Sequence, residues 1–212
     1  MIIVIFGPPA VGKGTQAVHL CRNYNVPHLS TGAMLRAEVA AGSRLGRRVG
    51  SLMAKGGLVP DRLILQIVRS RVAEPDCADG FVLDGVPRTL RQAKALDRML
   101  RGEKRKVDAV VVLGADEAEL VKRVEKRAAD ARAKGEPIRS DDNVDVFKRR
   151  LAAYKTETAP VLPYYARQKK LVRIDAMTSA DEVSASIIEA LSAMRERRPW
   201  YKRWFGFLFR PA

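Results

Sequence analysis

A glycine-rich loop directly after a short apolar run at the amino end of the chain constrains the fold more than any other feature. The apolar run, residues 2–6, reads IIVIF, which is typical of a buried strand. The loop, residues 7–15, reads GPPAVGKGT, and a segment of helical period begins at Gln16. In such a strand-turn-helix unit, backbone N–H groups and the helix amino end bind phosphate. The sequence therefore predicts a phosphate-binding loop.

The side chains of this loop suit a nucleoside triphosphate. The ammonium of Lys13 can reach the β- and γ-phosphate oxygens, and the hydroxyl of Thr15 suits a magnesium ion. The general motif has Ser or Thr directly after the lysine, whereas here Gly14 occupies that position and Thr15 follows. The alternative is a strand-to-helix turn that binds nothing, but a chance match at this spacing and in this context is rare.

Further apolar runs indicate an α/β fold. Short segments bounded by Gly, Pro or Asp recur at 81–83, 109–113 and 171–174, with a weaker one at 26–29. Segments of helical period separate them. Strands that are buried on both faces and alternate with helices predict a doubly wound, five-stranded parallel sheet with helices on both faces.

Two stretches interrupt this alternation. Residues 32–60 have a helical pattern but carry many Gly and Arg residues. Residues 124–141 are charged and contain Gly135 and Pro137, which predicts a mobile excursion.

Charge and cysteine usage limit the class of protein. The 212 residues carry a net charge of +15, which attracts phosphates, nucleic acid or anionic lipid without distinguishing among them. Cys21 and Cys77 stand alone and far apart, which excludes a disulfide framework or a four-cysteine zinc site and favours a reducing compartment. The amino end has no basic region or cleavage site, and no stretch approaches the roughly 18 apolar residues of a membrane span. We expect a cytoplasmic protein.

Three more motifs follow the loop in a fixed order. They are Ser30-Thr31-Gly32-Ala33-Met34-Leu35-Arg36, Asp84-Gly85-Val86-Pro87-Arg88-Thr89 and Arg139-Ser140-Asp141-Asp142-Asn143. With the loop, they make the chain strongly similar to adenylate kinase over about residues 1–192. The resemblance implies a catalytic domain at 1–194 with an AMP-binding arm at about 30–60 and a short lid at about 124–141. Residues 195–212 form a separate basic, aromatic tail.

The resemblance also implies the activity, in which ATP and AMP meet in one cleft and interconvert reversibly with two ADP, and magnesium accompanies ATP. Phosphoryl transfer of this kind needs positioning and charge neutralisation rather than a covalent nucleophile. Arg123 is implied to stack on the adenine of ATP. The implied ATP-binding residues are Gly7, Pro8, Pro9, Ala10, Val11, Gly12, Lys13, Gly14, Thr15, Arg123 and Thr178.

For AMP, the resemblance implies that Arg36 and Arg88 grip the phosphate and that Gln92 recognises adenine. Arginine can bind a phosphate through two parallel hydrogen bonds. The implied AMP-binding residues are Thr31, Arg36, Gly57, Leu58, Val59, Gly85, Arg88, Gln92, Arg139 and Arg150. The implied catalytic residues are Lys13, Arg88, Arg127, Arg139 and Arg150.

Each of these side chains has an ordinary alternative. Arg123 and Arg127 share one helix face and could form a solvated basic stripe. Asp84 could cap a turn, whereas the resemblance makes it the metal residue, a partner of magnesium through water.

Neither cysteine lies in the lid, so no structural zinc is expected. Lone histidines have many structural roles, and we interpret His19 and His28 in that way.

Residues at three places depart from the family pattern, the first being Ala10-Val11, where Gly-Ala is common. Ala33 stands where the family usually has Asp, and Val86 where it usually has Phe. Loss of a carboxylate at position 33 leads to the hypothesis that the metal is bound more weakly.

Two other functions remain open from the sequence. A UMP/CMP kinase shares the loop and the arginines, and a non-catalytic nucleotide-binding regulator would explain the basic charge. No nucleic-acid recognition motif is present, so we expect no nucleic-acid partner. We expect a monomer. The tail at 195–212 could contact a membrane surface or a partner as a short amphipathic helix, or it could be disordered or folded back on the core.

Overall fold

The computed structural model describes residues 1–135 and 143–196. Five strands form one parallel sheet in the order β2-β3-β1-β4-β5. The strands are β1 (Ile2–Phe6), β2 (His28–Ser30), β3 (Phe81–Asp84), β4 (Ala109–Gly114) and β5 (Leu171–Asp175). The chain places β4 on the other side of β1 from β3, so the winding direction reverses beside β1.

Nine α-helices connect or follow these strands in the described residues. They are α1 (Lys13–Tyr24), α2 (Thr31–Ala40), α3 (Arg44–Ala54), α4 (Asp61–Val72), α5 (Leu90–Gly102), α6 (Glu117–Ala133), α7 (Val144–Ala153), α8 (Leu162–Ala166) and α9 (Ala180–Glu196). Short irregular helical turns lie at Pro75–Cys77, Tyr154–Thr158 and Ala159–Val161.

The sheet is buried on both faces, because alternate side chains of each strand enter different cores. In β1, Ile2, Val4 and Phe6 pack into one core, while Ile3 and Ile5 pack into the other. Helices α2–α5 and α8 cover the first face, and α1, α6, α7 and α9 cover the second. The predicted doubly wound, five-stranded parallel sheet is confirmed.

Two element boundaries differ from the sequence-based expectation. Strand β2 lies at His28–Ser30, two residues later at its start than the apolar run at 26–29, because Pro27 has no N–H to donate to a strand partner. Helix α6 continues through residues 124–133, which we assigned to a mobile excursion. No Gly or Pro interrupts residues 117–134, and acidic residues in the first turn suit its amino end.

The fold creates a crevice where the winding direction changes. In open parallel sheets, ligands bind outside the carboxyl ends of the strands at this switch point. Residues 7–12 follow β1 at that edge, and Asp84 ends β3.

Among residues 1–135 and 143–196, no helix combines the length and the hydropathy needed to cross a bilayer.

Candidate active site

A cleft of about 970 Å³ opens at the carboxyl edge of the sheet. It is lined by the glycine-rich loop, the start of α2, the segment after β3, helices α6 and α7, and the loop after β5. A narrower side pocket of about 60 Å³ adjoins it between α2, α4 and α5. The two spaces share Arg36, Gly85, Arg88 and Arg150.

The glycine-rich loop turns so tightly that two positions require glycine. Gly7 and Gly12 have φ of 150° and 97°, values that favour glycine. A Cβ atom at Gly7 would also lie 2.8 Å from the carbonyl oxygen of Leu113. Gly12 is the N-cap of α1, so the loop ends at the positive end of that helix. The chain therefore forms the tight turn at the amino end of a helix that its sequence predicts.

Lys13 lies at the floor of the cleft. Its Nζ donates hydrogen bonds to the carbonyl oxygens of Gly7 at 2.9 Å and Pro8 at 2.7 Å. Burial is the main reason why the pKa of Lys13 is lowered to about 8. The carboxylate of Asp84 opposes this shift. Three positive charges add to it, those of Arg88, Arg150 and Arg127.

Asp84 is the acidic group of the cleft, and it stays ionised. Burial raises its pKa, but the neighbouring His28, Lys13 and Arg88 more than offset burial and hold the pKa below its usual value. The Oδ2 atom lies 3.7 Å from Nε2 of His28. His28, for which the sequence predicts a structural role, lines the cleft beside Asp84. The sequence could not signal this, because the pairing of β2 with β3 is a tertiary feature.

The donor set beside the loop fits a hard divalent cation. A Cβ atom at Gly14 would lie 3.9 Å from Oδ2 of Asp84, so this carboxylate lies beside the first turn of α1. Thr15, in the same turn, also lines the cleft and carries a hydroxyl. Magnesium is held in many nucleotide sites by one or two protein oxygens, with waters and phosphates completing its shell. Within the two described ranges, no three His, Cys, Asp or Glu side chains lie close enough to hold a metal by themselves.

Arg36, in α2, and Arg88, in the segment after β3, also line the cleft. A Cβ atom at Gly32 would lie 3.3 Å from Nη1 of Arg36, so this guanidinium folds back over the start of α2. The Nε of Arg88 donates to the carbonyl oxygen of Gly85 at 2.8 Å. Because Gly85 has φ of 87° and no Cβ, Arg88 and Thr31 approach its backbone closely. These contacts place both guanidinium groups at the mouth of the side pocket.

The side pocket contains the rest of the predicted AMP-binding residues that the structure describes. Gln92 is 2% exposed, and its amide lies between α4 and α5. The pocket is lined by Thr31, Gly32, Leu35, Arg36, Met53, Gly56, Gly57, Leu58, Val59, Ile64, Gly85, Arg88, Gln92 and Arg150. The mixture of apolar walls and few polar groups suits a planar base.

Helices α6 and α7 and the loop after β5 also line the cleft. Arg123 and Arg127 of α6, Arg150 of α7 and Thr178 all line the cleft. The Nη2 of Arg123 donates to the carbonyl oxygen of Ala176 at 2.9 Å, and its Nε lies 3.2 Å from Oε1 of Glu119. These contacts fix the plane of the Arg123 guanidinium.

Two predicted residues stand apart from this arrangement. Arg139, which we assigned to both AMP binding and catalysis, lies outside the described residues. Pro8 does not line the cleft, although its carbonyl oxygen holds Lys13. Sequence reasoning also missed Asp61, which hydrogen-bonds to Gln92 from a distance of 31 positions along the chain.

The sequence of this chain matches one family model and several known proteins. The family model described as "Adenylate kinase" matches residues 5–170. A relative named adenylate kinase from Methylorubrum populi is 50% identical over 197 residues, which cover 93% of this chain and 98% of the relative. Another from Sinorhizobium medicae is 48% identical over 192 residues, covering 91% and 100%. A third, from Brucella melitensis, is 49% identical over 187 residues, covering 88% and 96%.

Proposed function

Because the chain belongs to the adenylate kinase family, we propose how its own residues carry out the reversible transfer of a phosphoryl group from ATP to AMP. The enzyme is a nucleoside monophosphate kinase, and its substrates are ATP, AMP and ADP. One observation supports the residue assignments most directly. Cationic side chains from the glycine-rich loop, from α2 and the segment after β3, and from α6 and α7 all line one cleft. Lys13, Arg88, Arg127 and Arg150 lie close enough together that the three arginines lower the pKa of the lysine.

The glycine-rich loop binds the polyphosphate of ATP. Its inward N–H groups and the amino end of α1 receive the phosphate oxygens. On binding, the ammonium of Lys13 leaves the carbonyl oxygens of Gly7 and Pro8 for the β- and γ-phosphates. Arg123, with its plane fixed by Ala176 and Glu119, stacks on the adenine, and Thr178 closes the edge of that site.

Magnesium bound with ATP would be held by Asp84 through water and by the hydroxyl of Thr15. When bound, it neutralises charge on the β- and γ-phosphates. The low pKa of Asp84 keeps this carboxylate available as an acceptor at neutral pH. The departure at Ala33 leaves the start of α2 without a further carboxylate for waters near the metal.

AMP occupies the opposite side of the cleft. Arg36 and Arg88 hold its phosphate, and the base enters the side pocket between Thr31, Gln92 and the backbone at residues 57–59. The acceptor is a phosphate oxygen that is already anionic at neutral pH, since the second pKa of a phosphate monoester is about 6. No general base is therefore needed, and catalysis consists of holding the acceptor in line with the γ-phosphorus.

The arginines of α6 and α7 act on the transferring group. Arg127 and Arg150 meet the charge that spreads over the equatorial oxygens in the transition state, and Arg139 acts with them by resemblance. The arm at about 30–60 and the lid at about 124–141 close over the substrates. Closure excludes water, which would otherwise accept the phosphoryl group.

A coupled assay of ADP formation tests this function against the two alternatives. With ATP and magnesium, AMP should give a kcat/KM far above those of UMP and CMP. A preference for UMP or CMP would identify a pyrimidine monophosphate kinase, and the absence of ADP formation with any acceptor would identify a regulator. The identities of 48–50% to proteins named adenylate kinase favour the first outcome.

We also propose that the enzyme works as a monomer in the cytoplasm. Both cysteines are free thiols in separate places, which suits a reducing compartment. The proposed contact with a membrane surface or partner is made by the tail at 195–212, of which residues 197–212 lie outside the described residues. Co-sedimentation with anionic liposomes tests it: equal pelleting of the full chain and a chain that ends at Met194 would exclude the membrane contact.

A further inference from the structure

The carboxamide of Gln92 is held at both of its ends. Its Nε2 donates to Oδ1 of Asp61 at 2.7 Å, and its Oε1 accepts from the backbone N–H of Arg88 at 2.7 Å. The two partners are chemically unambiguous, because an ionised carboxylate only accepts hydrogen bonds and a backbone N–H only donates. A rotated amide would direct its oxygen at the carboxylate and its NH₂ group at the Arg88 N–H. The observed orientation is therefore the only one that satisfies both partners.

Asp61 is itself held in place. It lies in the first turn of α4, where a negative charge is favoured by the helix dipole. Its Oδ2 accepts a hydrogen bond from the hydroxyl of Thr89 at 3.1 Å. The Thr89 hydroxyl in turn accepts from the backbone N–H of Gln92 at 3.1 Å and caps α5. The amino ends of α4 and α5 are thus joined through the carboxylate that orients Gln92.

Each amide group of this kind has two N–H donors and two acceptor lone pairs. Asp61 takes one donor and the Arg88 N–H takes one lone pair, which leaves Gln92 one donor and one acceptor for a ligand. Gln92 lines the side pocket, so these two groups form the polar edge that meets the base. Asp61 and the backbone N–H of Arg88 together fix their order along that edge.

We propose that Asp61 is a specificity-determining positioning residue, which selects a 6-aminopurine over a 6-oxopurine without touching the base. This inference rests on the proposed binding of AMP in the side pocket. Adenine presents an acceptor at N1 and a donor at its 6-amino group, so it needs a donor and an acceptor in that order. Hypoxanthine presents the reverse, a donor at N1 and an acceptor at O6. Only rotation of the Gln92 amide would match it, and Asp61 opposes that rotation.

The test compares AMP with inosine monophosphate, which differs from AMP only at this edge of the base. In Asp61→Asn, the new amide can either donate to or accept from Gln92, so the penalty for rotation at this end is removed. We expect the ratio of kcat/KM for AMP to that for inosine monophosphate to fall roughly tenfold to hundredfold, as for loss of a charge-assisted hydrogen bond. The KM for ATP should stay within about twofold.

Asp181→Asn is the matched control, since Asp181 is an exposed acid in the first turn of α9. It should leave the ratio unchanged. A folded Asp61→Asn enzyme that loses activity toward both monophosphates in parallel, with the ratio unchanged, would overturn the inference and leave Asp61 a structural role only.

A second variant covers the case in which Asp61→Asn does not fold. Thr89→Val removes the hydroxyl that holds Oδ2 of Asp61 and caps α5, so it loosens the Asp61–Gln92 contact without deleting the carboxylate. The ratio should then fall by a smaller factor, and an unchanged ratio would again overturn the inference. If the wild-type enzyme does not phosphorylate AMP, the proposed function fails instead, so the two failures are distinguishable.

Discussion

The Nζ atom of Lys13 lies 2.7 Å from the carbonyl oxygen of Pro8, within the loop that binds phosphate. The loop therefore supplies acceptors for its own ammonium group, and in the proposed binding mode phosphate oxygens of ATP replace them. Because Lys13 is buried and lies near three arginines, its pKa is lowered and its proton is less tightly held than that of an ordinary lysine.

This relationship predicts that ATP binding depends on pH. With the pKa of Lys13 near 8 in the free enzyme, a rise in pH through that value removes the charge that the phosphates need. Bound phosphates raise the lysine pKa, so binding takes up a proton above about pH 8, and the affinity falls as the pH rises toward 9.5. Calorimetry in buffers of different ionisation enthalpy measures this uptake.

The control for this experiment is Lys13→Met, which should bind ATP more weakly at neutral pH but with no pH dependence in the same range. An affinity of the wild-type enzyme that is constant from pH 7.5 to pH 9.5 would contradict the role given to the Lys13 proton.

The proposed magnesium site predicts that Asp84→Asn is selectively defective in its use of magnesium. The variant keeps the shape of the side chain but removes the charge that the low pKa maintains at neutral pH. We expect the magnesium concentration for half-maximal rate to rise at least tenfold, while calorimetric binding of metal-free ATP is not weakened. Asp79→Asn, an exposed residue before β3, is the control and should match the wild type. An unchanged magnesium requirement would exclude Asp84 from the metal site.

The sequence predicted those features that local chemistry determines. The turn at residues 7–15 needs glycine at specific φ values, and buried parallel strands are continuously apolar, so the loop and the sheet could be read directly. The sequence pattern predicted a mobile excursion from residue 124, whereas α6 continues to Ala133. Its charged residues resemble those of a loop in composition, yet nothing in them stops a helix before Gly135.

Contacts between distant segments could not be predicted in this way. His28 meets Asp84 only because β2 pairs with β3, and Asp61 meets Gln92 only because α4 packs against α5. Each of these residues has an ordinary local role, His28 at a strand start and Asp61 in a first helical turn. Strand pairing sets the partner of His28, and helix packing sets the partner of Asp61.

The position of Arg150 in the cleft predicts that its removal lowers the rate rather than the binding of substrate. Arg150→Met removes a charge from the cleft where the transferring group is proposed to lie. We expect kcat to fall by about 10³-fold, as for a cation that stabilises this class of transition state, with KM values changed only a few-fold. Lys148→Met, an exposed change in the same helix, should have no effect. Steady-state kinetics would contradict the assignment if KM changed as much as kcat.

The packing of the arm predicts that one of two similar glycine substitutions is damaging. A Cβ atom at Gly46 would lie 2.1 Å from the carbonyl oxygen of Glu38, so Gly46→Ala must force α3 away from α2. At Gly50, in the same helix, the nearest atoms are the Val39 methyl groups at 3.6 Å, which is ordinary contact. We expect Gly46→Ala to lower the free energy of unfolding by about 1–3 kcal/mol, and Gly50→Ala to raise it by up to about 1 kcal/mol. Urea unfolding measures both.

In Gly46→Ala, amide exchange should accelerate in residues 31–54 and the KM for AMP should rise, while the KM for ATP stays constant. Equal stability of the two variants would show that α2 and α3 are not in contact at Gly46.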